Sequence, residues 1–183
     1  MAEDAKNRLL GLIREHALIQ GGDFELASGA RASVYIDLRR VTMHPDGADL
    51  IADMLAERCA GLEARAAGGM ATAAIPLVAC LVLRSREKGR PMRGFYVRDK
   101  AKTRGTQRQI EGQLQAGEPV VLIEDTMTSG RSTMTAVEAV RAEGCRVEKV
   151  FTVVDRQQGG AELYAAEGIA FEALVRLSDI TGD

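Results

Sequence analysis

Val120-Val121-Leu122-Ile123-Glu124-Asp125-Thr126-Met127-Thr128-Ser129-Gly130-Arg131-Ser132 is an apolar run of strand length, followed by two adjacent carboxylates and a turn rich in hydroxyls and glycine. Beyond it Thr133, Ala136, Val137 and Val140 recur at helical spacing, and Gly144 supplies a stop. The unit is strand, acidic pair, turn, helix. Backbone N–H groups at such a helix start point outward unpaired, and the helix dipole adds positive character, so the turn fits a phosphate. Two carboxylates beside it suit ribose hydroxyls or a hydrated divalent cation. A site for a phosphorylated sugar is the direct reading. The turn is not a Walker A loop, because no lysine follows Gly130. Nor is it a dinucleotide fingerprint, because G-x-G-x-x-G is absent. By itself it equally fits an ordinary strand-to-helix turn with a Ser/Thr cap. The acidic pair directly before it favours a site.

Working outward, the spacing predicts a helix over 5–16, a loop or short hairpin over 20–33, a strand over 33–38 and a helix over 46–60. A short strand at 64–67 leads into the turn Gly68-Gly69-Met70-Ala71-Thr72-Ala73-Ala74, and a helix follows to about Lys88. Then come strand 92–97, loop 98–116, strand 119–124, helix 131–143, strand 147–154, a short helix 160–166 and strand 170–175. Strands alternating with helices predict an α/β fold, with a mainly parallel sheet flanked by helices. Right-handed crossovers gather the strand C-terminal ends on one edge. Asp37, the Gly68–Ala74 turn, the start of the 98–116 loop, Glu124–Ser132 and Asp155-Arg156 all follow predicted strands and should line that rim.

The 98–112 stretch carries Arg98, Lys100, Lys102, Arg104 and Arg108 against Asp99, with Glu111 near its end. It is long for a loop in a compact domain, and such loops are commonly lids. Spaced cations on a lid suit a polyphosphate that must be neutralised and shielded from water. A solvated charged face and a nucleic-acid patch are the competing readings. The second lacks interleaved aromatics, since Phe95 and Tyr96 fall in a predicted strand.

Bulk properties exclude more than they assign. A chain of 183 residues fits one domain with a substantial core. A formal charge of −2 gives no general case for nucleic acid or membrane. No apolar run approaches the ~20 residues that span a bilayer, and Met1–Lys6 is unlike a secretory signal. Cys59, Cys80 and Cys145 are scattered and odd in number, the pattern of reduced thiols in a cytoplasmic protein. His16 and His44 are the only histidines, which excludes an imidazole-rich metal site.

With these pieces assembled, the chain resembles the orotate phosphoribosyltransferases over roughly Asp23 to Leu177. Phe24-Glu25-Leu26-Ala27-Ser28-Gly29 with Ser33-Val34-Tyr35-Ile36-Asp37 is similar to the family's N-terminal hood. Arg98 through Gly105, closed by Gln109-Ile110-Glu111-Gly112, resembles its catalytic loop. Glu124 through Ser132 resembles the phosphoribosyl pyrophosphate motif of type I phosphoribosyltransferases, and Asp155-Arg156-Gln157-Gln158-Gly159-Gly160 the orotate-side block. The third block names the superfamily; the second and fourth name the orotate enzymes. Ala27 and Ala73 stand where lysines are found in many and in some members respectively, Asp99 where lysine is frequent, and Arg104 where histidine is common.

The resemblance implies a type I phosphoribosyltransferase fold in a single domain over 1–183, with a small hood mainly at 1–40 and a flexible loop at about 98–116. It implies a glycosyltransferase (pentosyltransferase) of pyrimidine (UMP) biosynthesis that makes orotidine 5′-monophosphate and pyrophosphate. Lys102 and Asp125 would be catalytic. Arg98, Lys100, Lys102, Arg104, Glu124, Asp125, Thr126, Met127, Thr128, Ser129, Gly130, Arg131 and Ser132 would bind phosphoribosyl pyrophosphate; Thr128 and Arg156 would bind orotate. Mg²⁺ would be held through substrate and water with no direct protein ligand, and a cytoplasmic homodimer would share the loop across subunits. Two other readings are a purine-type phosphoribosyltransferase and a regulator that kept only the sugar-phosphate site. The Arg156 block and the Gln109–Gly112 ending oppose the first. The second would be supported by an added helix-turn-helix segment, and none is visible.

Overall fold

A computed structural model describes residues 2–25, 31–99 and 109–182. The chain opens with α1 (Ala2–Leu12), which runs into a π-helical stretch at Ile13–Ala17. A hairpin follows, β1 (Leu18–Glu25) and β2 (Arg31–Ile36), paired antiparallel. Next come α2 (Arg39–Thr42), α3 (Pro45–Cys59), β3 (Ala66–Gly68), α4 (Ala74–Glu87), β4 (Arg93–Val97) and β5 (Ile110–Gly112). The second half is β6 (Pro119–Met127), α5 (Arg131–Ala142), β7 (Arg146–Asp155), α6 (Gly160–Ala166), β8 (Ala170–Arg176) and α7 (Leu177–Thr181). The main sheet has the order β5-β4-β3-β6-β7-β8. All its pairings are parallel except β4 with β5.

The apolar run of β6 explains the layering. Val121 and Ile123 pack into one core with α1, α3 and α4, while Val120 and Leu122 pack into another with α5 and Tyr164 of α6. A strand covered on both faces reads as continuous apolar sequence, whereas α5 shows one stripe, with Thr133, Ala136, Val137 and Val140 buried. The mainly parallel sheet with flanking helices is as expected. At the N-terminus, Lys6 pairs with Asp179 at 3.0 Å and Arg14 Nε donates to the Ile180 carbonyl at 3.0 Å. These contacts tie the first helical segment to α7.

Several boundaries differ from the sequence reading. The first helix begins at Ala2 and ends in the π-helical stretch. The hairpin alternative at 20–33 is the one realised, and it starts at Leu18. The 98–116 stretch is not all loop: β5 adds to the sheet edge by pairing Ile110 with Val97 and Gly112 with Phe95. Strand β6 continues past Glu124, because its ladder with β7 runs on to Thr126↔Val154 and Met127↔Asp155. The short α2 and α7 were not foreseen. Residues 100–108, and Ala27 in the hood, lie outside the described residues.

Candidate active site

Because β6 extends to Met127, the acidic pair sits in the strand and not in the turn. Alternation along a strand sends neighbouring side chains to opposite faces. Glu124 follows Leu122 toward α5 and α6, where Thr133 and Tyr164 hydrogen-bond its carboxyl. Asp125 follows Ile123 toward the hood, within the fields of Arg39 and Asp37. Arg39 Nε in turn donates to Asp37 Oδ1 at 2.7 Å, so the two hood residues form one charged corner beside Asp125.

Both carboxyls are half-buried, and their proton affinities follow from that. Burial pushes Glu124 up to about 7; the Asp125 charge adds to the rise, and hydrogen bonds from Thr133 and Tyr164 oppose it. Burial also raises Asp125, against the Thr126 N–H that donates to Oδ1 at 2.7 Å and against the Arg39 charge. Neither carboxyl has a salt-bridge cation among the described residues. Ligand hydroxyls that donate to them would replace lost water.

The turn after β6 is Thr128, Ser129 and Gly130. Gly130 has φ +74°, and no side chain caps the helix that starts behind it. A Cβ at Gly130 would stand 3.0 Å from the Tyr164 ring, so a side chain there would strain the backbone and press on Tyr164. The first N–H groups of α5 are therefore free of side-chain caps, next to exposed Arg131 and Ser132. Thr126 Oγ1 is buried without a partner. The Met127 side chain is fully buried against Gly160, which leaves its backbone for the rim; its carbonyl accepts the Arg156 N–H at 2.9 Å.

Arg156 follows β7 and is only 7% exposed. Its Nη2 donates to the Val34 carbonyl of β2 at 3.4 Å, and its Nε is buried without a partner. Burial lowers its proton affinity, against the favourable field of Tyr35. Tyr35 itself packs on Phe24, ring centres 5.6 Å apart. A buried guanidinium with no carboxylate partner among the described residues is an incomplete pair, and it opens on the hood side of the rim.

The Gly68–Ala74 turn completes this edge. Val97 N–H donates to Gly69 O at 2.8 Å and Ala71 N–H to Val97 O at 2.8 Å, which joins the turn to the end of β4. A Cβ at Gly69 would lie 2.1 Å from the Ile123 carbonyl, so only glycine lets the turn approach β6 just below the acidic pair. Arg98 comes next, its N–H on the Gln109 carbonyl at 2.9 Å and its Nε buried without a partner. Lys100, Lys102 and Arg104 lie outside the described residues. Sequence reasoning missed Tyr164, Val34 and the polar role of Thr133, none of which carries a sequence signal of a contact at the site. A groove of about 920 Å³ lined by Cys59, Arg65, Arg90 and Met92 lies at the opposite edge of the sheet and shares none of these residues.

A mainly parallel α/β sheet with a carboxylate pair and a glycine-capped phosphate turn on its C-terminal edge is the plan of a type I phosphoribosyltransferase. No protein-family model matches the chain. A curated relative from Rhodopirellula baltica, an orotate phosphoribosyltransferase, is 40% identical over 189 residues, covering 98% of this chain and 97% of that protein. The crystal structure of the Mycobacterium tuberculosis orotate phosphoribosyltransferase with Fe(III) dicitrate superposes with TM-score 0.85 at 38% identity, covering 96% of this chain and 98% of that one. The same enzyme in complex with 5-phospho-alpha-D-ribosyl 1-diphosphate gives TM-score 0.81 at 33% identity, over 97% of this chain and 99% of that one. The chain belongs to the orotate phosphoribosyltransferase family.

Proposed function

We propose that this chain transfers the phosphoribosyl group of phosphoribosyl pyrophosphate to orotate, as a magnesium-dependent cytoplasmic homodimer. The carrying observation is Arg156: a buried guanidinium, tethered through its backbone to Met127 and left with an unpartnered Nε. It suits an acceptor base that brings its own carboxylate, as orotate does. Family membership and the relative solved with phosphoribosyl pyrophosphate support the same donor here.

The reaction breaks the anomeric C–O bond, whose electron pair leaves with pyrophosphate, and forms a C–N bond to a base nitrogen that gives up its proton. Positive charge grows on the ribose ring as negative charge grows on the leaving group. Glu124 and Asp125 would accept hydrogen bonds from the ribose hydroxyls, and their charge would stabilise the cationic ring. Backbone N–H groups and hydroxyls from Thr128 to Ser132 would hold the 5′-phosphate, with Arg131 adding charge. Thr126 would contribute its unpartnered hydroxyl, and Met127 only its backbone. Thr128 would also reach orotate. Lys102, aided by Arg98, Lys100 and Arg104, would neutralise pyrophosphate as the loop closes over the site of the neighbouring subunit. The hood at 1–40 and the loop at 98–116 would act as two parts of one domain.

The residues fit magnesium in one specific way. Oxygen donors are present, yet among the described residues no three His, Cys, Asp or Glu side chains converge, so the ion would be held by substrate oxygens and water. When bound, magnesium would supply positive charge against the developing negative charge of pyrophosphate.

The test is loss of orotate absorbance on adding phosphoribosyl pyrophosphate and Mg²⁺, repeated with Arg156→Met. Wild type should turn over, and the variant's KM for orotate should rise by about tenfold or more, the cost of one charge-assisted hydrogen bond. Binding of phosphoribosyl pyrophosphate should stay within about twofold, because the proposed contacts to it do not include Arg156. Unchanged orotate kinetics in the variant would remove Arg156 from the reading.

A further inference from the structure

We infer that Tyr164 is a positioning residue for this site, its hydroxyl joining the Glu124 carboxyl to the phosphate turn. The ring sits on α6, fully buried, beside Phe171 at 5.3 Å between ring centres. Packing alone would be met by phenylalanine. The hydroxyl is the part to explain, because a buried tyrosine O–H needs partners and those it has identify its task. It lies 3.4 Å from Glu124 Oε2 and 3.3 Å from the Gly130 carbonyl. Thr133, 1% exposed on the first turn of α5, hydrogen-bonds both Glu124 and Tyr164. One hydroxyl therefore reaches the ribose-side carboxyl and the residue that caps the phosphate-side helix.

A tyrosine hydroxyl has one proton and two acceptors here. With Glu124 ionised, the proton is drawn to the carboxylate. With Glu124 protonated, the carboxyl can donate to the hydroxyl, which then donates to Gly130. The contact thus links the protonation of Glu124 to the carbonyl at the turn. The charged or titratable groups facing this cluster are Asp125 on β6, beside Glu124, and Asp155 on β7, which faces Tyr164. Both are acidic, so the two hydroxyls are what favours the ionised form of Glu124. Glu124 is raised by burial and held down in part by Tyr164 and Thr133, which gives the direction of the effect.

The inference rests on reading Glu124 as a ribose ligand, and its test needs no turnover. Binding of ribose 5-phosphate is measured by calorimetry from pH 5.5 to about 8.5 for wild type, Tyr164→Phe and Thr133→Val. The ligand's own titration is common to all three and cancels in the comparison. Tyr164→Phe should move the acid limb of binding upward by about half a pH unit, giving about threefold weaker binding near pH 6 and near parity at the alkaline end. Thr133→Val should shift in the same direction. Thermal unfolding midpoints identify folded variants. If folded variants bind as wild type does, or lose affinity equally at every pH, Tyr164 is only packing and the inference fails. A wild type that binds the sugar phosphate but leaves orotate unused fails the function proposal instead, and this comparison stays decisive.

Discussion

Glu124 holds its proton more tightly than an exposed glutamate does, because strand alternation turns it inward against α5 and α6. Its ordinary value is 4.5 and in the fold it reaches about 7. Between those values the unfolded chain has released a proton that the folded chain keeps. The stability this carboxyl contributes is therefore full below pH 4.5 and is lost as pH rises through about 7. Glu124→Gln keeps a neutral side chain at every pH. Urea unfolding of the ligand-free protein should find the variant no more stable than wild type near pH 4.5, and more stable at about pH 8 by up to about 3 kcal/mol. A difference that does not grow between those conditions would contradict the buried carboxyl. On the proposed reading the same proton would oppose catalysis, because a ribose hydroxyl donates best to the ionised form.

Among the elements, those with one strong pattern were legible in the sequence. The run Val120–Ile123 and the stripe Thr133, Ala136, Val137, Val140 each specify period, facing and burial, and both formed as expected. The main-sheet residues of the rim were legible for a different reason: each lies at or just beyond the C-terminal end of a strand, and parallel strands share that edge. What was not legible depends on partners distant in sequence. The extension of β6 to Met127 is fixed by the ladder to β7, and β5 exists because β4 offers it an edge. The same holds for Arg156. Its sequence neighbourhood shows a cation after an acid, consistent with a surface salt bridge. In the fold Asp155 Oδ1 instead accepts the Gln157 N–H at 2.7 Å, and the guanidinium turns to Val34. Tyr164 was invisible because a seven-residue helix carries too few turns to show which side chain faces a site.

For the whole molecule, the proposed reading makes the hood, the β6 turn and Arg156 one half of a site, whose cationic other half, Lys100, Lys102 and Arg104, would come from a second subunit. Mixing inactive Lys102→Ala with inactive Asp125→Asn under exchange conditions should restore activity. In a dimer that shares its loops, half the molecules are mixed and each has one intact site, so recovery should approach about a quarter of wild type. No recovery despite proven subunit exchange would mean that each loop serves its own chain. The most direct test of the central claim, transfer to a base chosen by its carboxylate, is the rate of phosphoribosyl pyrophosphate consumption with orotate, uracil, adenine and hypoxanthine at equal concentration. Uracil differs from orotate by that carboxylate alone. The expected result is turnover with orotate, favoured over uracil by about a hundredfold or more, and none with the purines. Comparable rates with uracil, or faster turnover of a purine, would contradict it.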